Sequence, residues 1–110
     1  MFVRITTFRL KPGAMDDLIR AFQDWLALTA AGQPGFSGIT LLTDAQTGKA
    51  VTIGLWATQA GLLAGERSDA EQEQFAKIDM LFAEPPAHEV YEVSVQVELT
   101  EQGQTHIRGI

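Results

Sequence analysis

Gln33-Pro34-Gly35-Phe36-Ser37-Gly38 is the stretch on which the fold turns. Before it runs an amphipathic segment in which Met15, Leu18, Ile19, Phe22, Trp25, Leu26 and Thr29 recur at helical spacing, with Asp16 and Asp17 in the first turn, where a helix favours negative charge. Gly32 reads as the C-cap of that helix, with Pro34 just beyond it. After the stretch come two runs of β-branched, aromatic and aliphatic residues, 36–43 and 50–56, split by the polar turn Asp44-Ala45-Gln46-Thr47-Gly48-Lys49, which spells a hairpin. The stretch is therefore the exit from a first helix into a β-hairpin.

Working outward, residues 2–10 alternate, with Phe2, Arg4, Thr6, Phe8 and Leu10 on one face and Val3, Ile5, Thr7 and Arg9 on the other. Pro12-Gly13 ends that strand. Thr58 opens a short helix ending near Gly65, and Ser68-Asp69-Ala70-Glu71 has the form of a capping box that starts another. Phe75, Ile78 and Phe82 form the apolar stripe of the second piece, and Pro85-Pro86 ends it. Residues 88–99 alternate regularly, setting Tyr91, Val93, Val95, Val97 and Leu99 against His88, Val90, Glu92, Ser94, Gln96 and Glu98, and read as one long strand. The order is strand, helix, two strands, broken helix, strand: a split βαβ pattern of the α+β class.

With 110 residues the chain is one domain, in the size range where a second copy adds much of the burial. Several strands carry apolar residues on both faces, whereas a sheet with helices on one side needs only one dry face. A second copy of the sheet is the simplest cover, so a homodimer is expected. We divide the chain into a domain over 1–99 and a polar tail over 100–110, which is expected to pack on the partner subunit.

A net charge of −6 with eight scattered Lys and Arg excludes a nucleic-acid partner, which needs clustered cations. The chain contains no cysteine, which removes disulfides and thiolate chemistry and makes a reducing cytoplasm the expected compartment. Arg4 and Arg9 interrupt any apolar signal core, and no run approaches the roughly 20 apolar residues of a membrane span. No membrane association is expected.

Four short motifs in order carry a family resemblance. Lys11-Pro12-Gly13, Gln33-Pro34-Gly35-Phe36-Ser37-Gly38, Gly54-Leu55-Trp56 and Pro85-Pro86 followed by Val90-Tyr91-Glu92-Val93 resemble the antibiotic biosynthesis monooxygenase domain over roughly residues 1–97. The resemblance implies a ferredoxin-like βαββαβ domain with a four-stranded antiparallel sheet, pairing into a dimeric α+β barrel. It also implies cofactor-free oxygenation of a small phenolic, quinol or polyketide-like aromatic, or degradation of haem. The haem-degrading members use an asparagine, a tryptophan and a histidine at places that fall here on Thr6, Gly65 and Phe75. None matches, and Phe75 cannot ligate iron.

Cofactor-free oxygenation needs a pocket for an acidic phenol, a group that takes or stabilises the departing proton, and room for O₂. No metal and no cofactor are expected. Thr6 stands where relatives place a polar pocket group, although a strand threonine also serves β-propensity alone. Thr6, Phe22, Trp56, Leu62 and Phe75 are the expected lining of a substrate cavity, with Trp25 a further aromatic candidate; such a stripe also serves as plain core. Arg4 is suited to an acidic substrate or to a cross-sheet partner such as Glu92 or Glu98. His88 begins the last strand at a rim, His106 lies in the tail, and their separation gives no metal-ligand spacing. Asp79 is a candidate base at the edge of the helical stripe, and Tyr91 an interface residue. The alternative function is a non-catalytic homodimer that binds a small molecule or serves as an interaction module.

Overall fold

The structure, a computed structural model, describes residues 1–28, 32–66, 69–99, 102–103 and 105–109. Its elements are β1 (Phe2–Arg9), α1 (Met15–Leu28), β2 (Phe36–Asp44), β3 (Lys49–Trp56), α2 (Gln59–Glu66), α3 (Asp69–Ile78), β4 (Ala87–Glu92), β5 (Val95–Leu99) and β6 (Thr105–Gly109). A 3-10 turn, Asp79–Leu81, closes α3. Four strands form an antiparallel sheet in the order β2-β3-β1-β4, the ferredoxin-like arrangement, with the helices over one face. Thr29 and Ser68 lie outside the described residues, and so do 29–31, on which a cap at Gly32 depends.

The opening stretch is a tight turn. Phe36 N–H donates to Gln33 O at 3.2 Å, and Gly35 sits at φ +75°, so the backbone has the type II form that requires glycine at its third position. Lys11-Pro12-Gly13-Ala14 repeats the same chemistry after β1, with Ala14 N–H on Lys11 O at 3.1 Å. Each turn reverses the chain at one end of α1. Between β2 and β3, Gly48 N–H returns to Asp44 O at 3.0 Å while the Asp44 carboxylate accepts from Gln46 N–H. Hydrogen bonds from the Thr47 side chain and the Gln46 backbone hold the Asp44 carboxyl below its ordinary range.

The core packs at one end of the sheet, where Phe8, Leu10, Ala14, Leu18, Ala50, Ile78 and Phe82 cluster. Phe8 and Leu18 there, and Leu62 in α2, are fully enclosed, each contributing about 1.5–3 kcal/mol of burial. The broken second helix is as the sequence indicates: the Thr58 hydroxyl accepts Gly61 N–H at 3.0 Å to start α2.

The last strand departs from the sequence reading. The alternating run 88–99 breaks at Val93-Ser94, where Val93 N–H bonds to Met1 O at 2.9 Å and the main sheet ends. The remainder turns away as β5 and pairs with β6 in a separate two-stranded ribbon, Val95 opposite Gly109 and Leu99 opposite Thr105. Residues of the polar tail thus have a partner within their own chain. Alternation is preserved on both sides of the break, which is why the pattern alone does not show it.

Candidate functional site

β1 and β3 pair in register with Thr6 opposite Thr52, Arg4 opposite Gly54 and Phe8 opposite Ala50. These residues face the helices. The face of β3 turned toward them is thus built from Ala50, Thr52, Gly54 and Trp56, while the larger aliphatics Val51, Ile53 and Leu55 point the other way. Small side chains on the floor leave space beneath α1 and α3. That space is a cavity of about 80 Å³.

Its floor carries Thr6, Thr52 and Gly54; Phe22 and Trp25 descend from α1, Phe75 and Ile78 from α3, and Phe36, Ile39 and Trp56 close the hairpin side. The aromatic rings form an unbroken run. Phe75 meets Phe8 at 6.3 Å between centroids, Phe8 meets Phe22 at 6.4 Å, Phe22 meets Trp25 at 6.2 Å, Trp25 meets Phe36 at 6.1 Å and Phe36 meets Trp56 at 5.0 Å. Most of these pairs are edge-to-face, so the rings brace one another and hold the wall open. One water needs only about 10–15 Å³, so the space is several times the size of a single solvent molecule.

Polar groups gather at one corner. Thr6 Oγ1 lies 3.1 Å from His88 Nδ1, and Arg4 Nη2 lies 3.3 Å from the same nitrogen. β4 brings His88 directly opposite Thr6 and Val90 opposite Arg4, so the guanidinium reaches His88 diagonally across the sheet. A guanidinium only donates, so Nδ1 accepts from it and the imidazole proton resides on Nε2. The His88 ring also stands 6.0 Å from Phe75, itself a lining residue, and is exposed to solvent.

Of the residues expected to line a site, Thr6, Phe22, Trp56 and Phe75 border this cavity, as does Trp25. Leu62 does not. It is fully buried in α2, away from the open space. Asp79 is exposed on the 3-10 turn, and Tyr91 is exposed on the opposite face of the sheet, donating its phenol O–H to Glu89, which raises its pKa through the hydrogen bond and the nearby negative charge. Sequence reasoning did not identify Thr52, Phe36 or Ile39, nor did it connect His88 with Thr6 and Arg4. The signal for Thr52 was present in the alternation of β3, whose small-residue face is the one that leaves room. The pairing of positions 82 apart left none.

Compared with known families, residues 1–77 match antibiotic biosynthesis monooxygenase. The chain belongs to this family. No curated protein matches it in sequence. Among solved structures, this member of the antibiotic biosynthesis monooxygenase family is similar to Rv0793 from Mycobacterium tuberculosis, with a TM-score of 0.71 and 18% identity over 84% of this chain and 93% of that one. The cofactor-independent oxygenase SnoaB from Streptomyces nogalater, in a mutant form, gives 0.71 and 19% over 84% and 91%. The NE2512 protein of Nitrosomonas europaea gives 0.71 and 21% over 84% and 87%. At these identities the likeness is one of fold. No helix among the described residues is long and apolar enough to cross a membrane.

Proposed function

We propose that this monooxygenase-family chain oxidises a small phenolic, quinol or polyketide-like aromatic with O₂, without metal or flavin. The observation that carries the reading is the cavity itself: ring-walled, floored by the hydroxyls of Thr6 and Thr52, and left open rather than packed shut by Phe22, Trp25 and Phe75. Membership of the family and the likeness to a cofactor-independent oxygenase support it. In this reading the phenol ionises in the pocket, which turns the carbon para to it into an electron-rich centre for O₂. For a ring methylene, the carbon loses two hydrogens and gains one oxygen atom as a carbonyl, and the second oxygen leaves as water. Thr6, Phe22, Trp56 and Phe75 hold the ring plane, and the dry wall protects the carbanion from protonation by water.

A homodimer belongs to the same proposal. Val3, Ile5, Val51, Ile53 and Leu55 make the sheet face away from the helices apolar, and Val95, Val97 and Leu99 of the β5–β6 ribbon are 64%, 55% and 73% exposed. Apolar surface of this kind suits a second copy. The lack of cysteine fits a cytoplasmic location.

Oxygen uptake in chelator-treated buffer with a hydroxyanthrone, whose ring methylene can become a quinone carbonyl, is the direct test. The proposal requires enzyme-dependent uptake that yields the anthraquinone and is lost in Thr6→Leu. Binding of the anthrone with no uptake above the uncatalysed rate would replace it with the non-catalytic binding dimer, which uses the same cavity.

A further inference from the structure

The cavity is apolar except at one corner, and the chemistry of that corner selects for charge. We propose that the ligand is a planar aromatic anion whose negatively charged oxygen docks against Arg4, His88 and Thr6. This rests on reading the cavity as an aromatic site and adds which aromatics it takes.

Three observations converge. Arg4 is half-buried with its Nε shielded from solvent, so its charge lies against a low-dielectric wall of Phe8, Phe22 and Phe75, where attraction to an anion is stronger than in water. Arg4 Nη2 and Thr6 Oγ1 both fall within 3.3 Å of His88 Nδ1, which gathers a fixed cation and a hydroxyl at one point. The proton on Nε2 then makes the imidazole a donor at the rim, where the ring is exposed. The corner therefore offers a guanidinium fork and an imidazole N–H beside a ring-shaped apolar slot, the complement of a ring carrying an oxyanion. In a chain of net charge −6 such a site has to be built locally, because the overall field repels anions.

The two tryptophans of the chain, Trp25 and Trp56, both line the cavity, so their fluorescence reports occupancy directly. The probes are para-nitrobenzoate and para-nitrobenzamide, matched in shape and differing in charge, titrated at neutral pH and low salt. The expected result is at least tenfold tighter binding of the carboxylate, with Arg4→Met bringing the two within twofold of each other. His88→Gln, which keeps a side-chain donor, retains part of the preference, and His88→Phe retains less. Equal affinities in the wild type, or a preference that survives Arg4→Met, overturns the proposal while leaving the aromatic site standing. Quenching by neither probe overturns both readings.

Discussion

The outer edge of the Trp56 indole comes up against Gly65. A β-carbon at position 65 would fall 2.8 Å from Trp56 Cζ2 and 3.1 Å from Cζ3, and nearer still to Cη2, contacts that a rigid ring cannot yield to by bending. Glycine is thus required here for close approach, and the missing side chain is what lets the hairpin's last residue lean onto α2 instead of filling the cavity. Trp56 takes up the space beside Gly65.

Gly65→Ala accordingly pushes the Trp56 indole toward Phe36 and the cavity. We expect overpacking to cost about 1–3 kcal/mol of stability and to weaken binding of para-nitrobenzamide at least tenfold. Chemical denaturation and tryptophan quenching measure the two effects separately. A variant with wild-type affinity for the amide would show that Trp56 does not gate the space.

Thr6→Leu fills the floor of the cavity at its most enclosed point, since Thr6 is only 5% exposed. Ligand binding should be abolished while the fold persists, because the leucine side chain grows into the cavity rather than into packed neighbours, at the loss of one hydrogen bond to His88. Circular dichroism and the quenching titration together decide it. Thr6→Ser should retain binding, and full binding by Thr6→Leu would remove Thr6 from the site.

Tyr91 is the sole tyrosine, so its titration can be followed by ultraviolet absorbance without overlap. The hydrogen bond to Glu89 and the negative charge of that carboxylate favour the protonated phenol and raise the pKa above its usual 10. A pKa raised in the folded state contributes stability that is complete below the unfolded value and is lost as pH climbs through the folded one. Glu89→Gln should bring the titration down toward the ordinary value. An unchanged midpoint would show that the pair does not form in solution.

Ile53 stands at the centre of the sheet face opposite the helices, between Ile5 on β1 and Thr40 on β2. Ile53→Asp should convert the proposed dimer to monomer in sedimentation experiments, since an unpaired carboxylate at the centre of an apolar interface is costly to desolvate. A variant that still sediments as the wild type does would place the subunit contact elsewhere.

Removing residues 100–110 deletes β6 and leaves the β5 edge unpaired, with Val95, Val97 and Leu99 at the surface. The expected outcome is a dimer dissociation constant raised at least tenfold at unchanged secondary structure in the main sheet. An unchanged constant would rule out a role for the ribbon on the partner.

Much of this architecture was legible in residues alone. Pro-Gly pairs at 12–13 and 34–35 mark both ends of α1 because proline sets one turn angle and glycine supplies the next, a local effect that needs no tertiary partner. The same holds for the Asp44–Gly48 turn, for the alternation of β1 and β4, and for the β-branched and aromatic runs that became β2 and β3. Aromatic residues at helical spacing correctly flagged Phe22, Trp25 and Phe75 as facing inward. Whether inward meant core or cavity was not written there.

That distinction was left to the tertiary structure, for a physical reason. Alternation divides a strand into two faces without saying which face meets the helices, and in β3 the bulkier, more apolar face is the one turned away. A cavity is a deficit of volume summed over Thr6, Thr52, Gly54 and the helices above them, and no single position records the sum. The Arg4–His88–Thr6 corner joins the first strand to the fourth, and only sheet pairing brings them within hydrogen-bonding distance. The break at Val93-Ser94 likewise follows from where the sheet runs out of partners. Local chemistry determined the order of the elements and their turns; long-range packing decided where the molecule is hollow, and where that hollow carries charge.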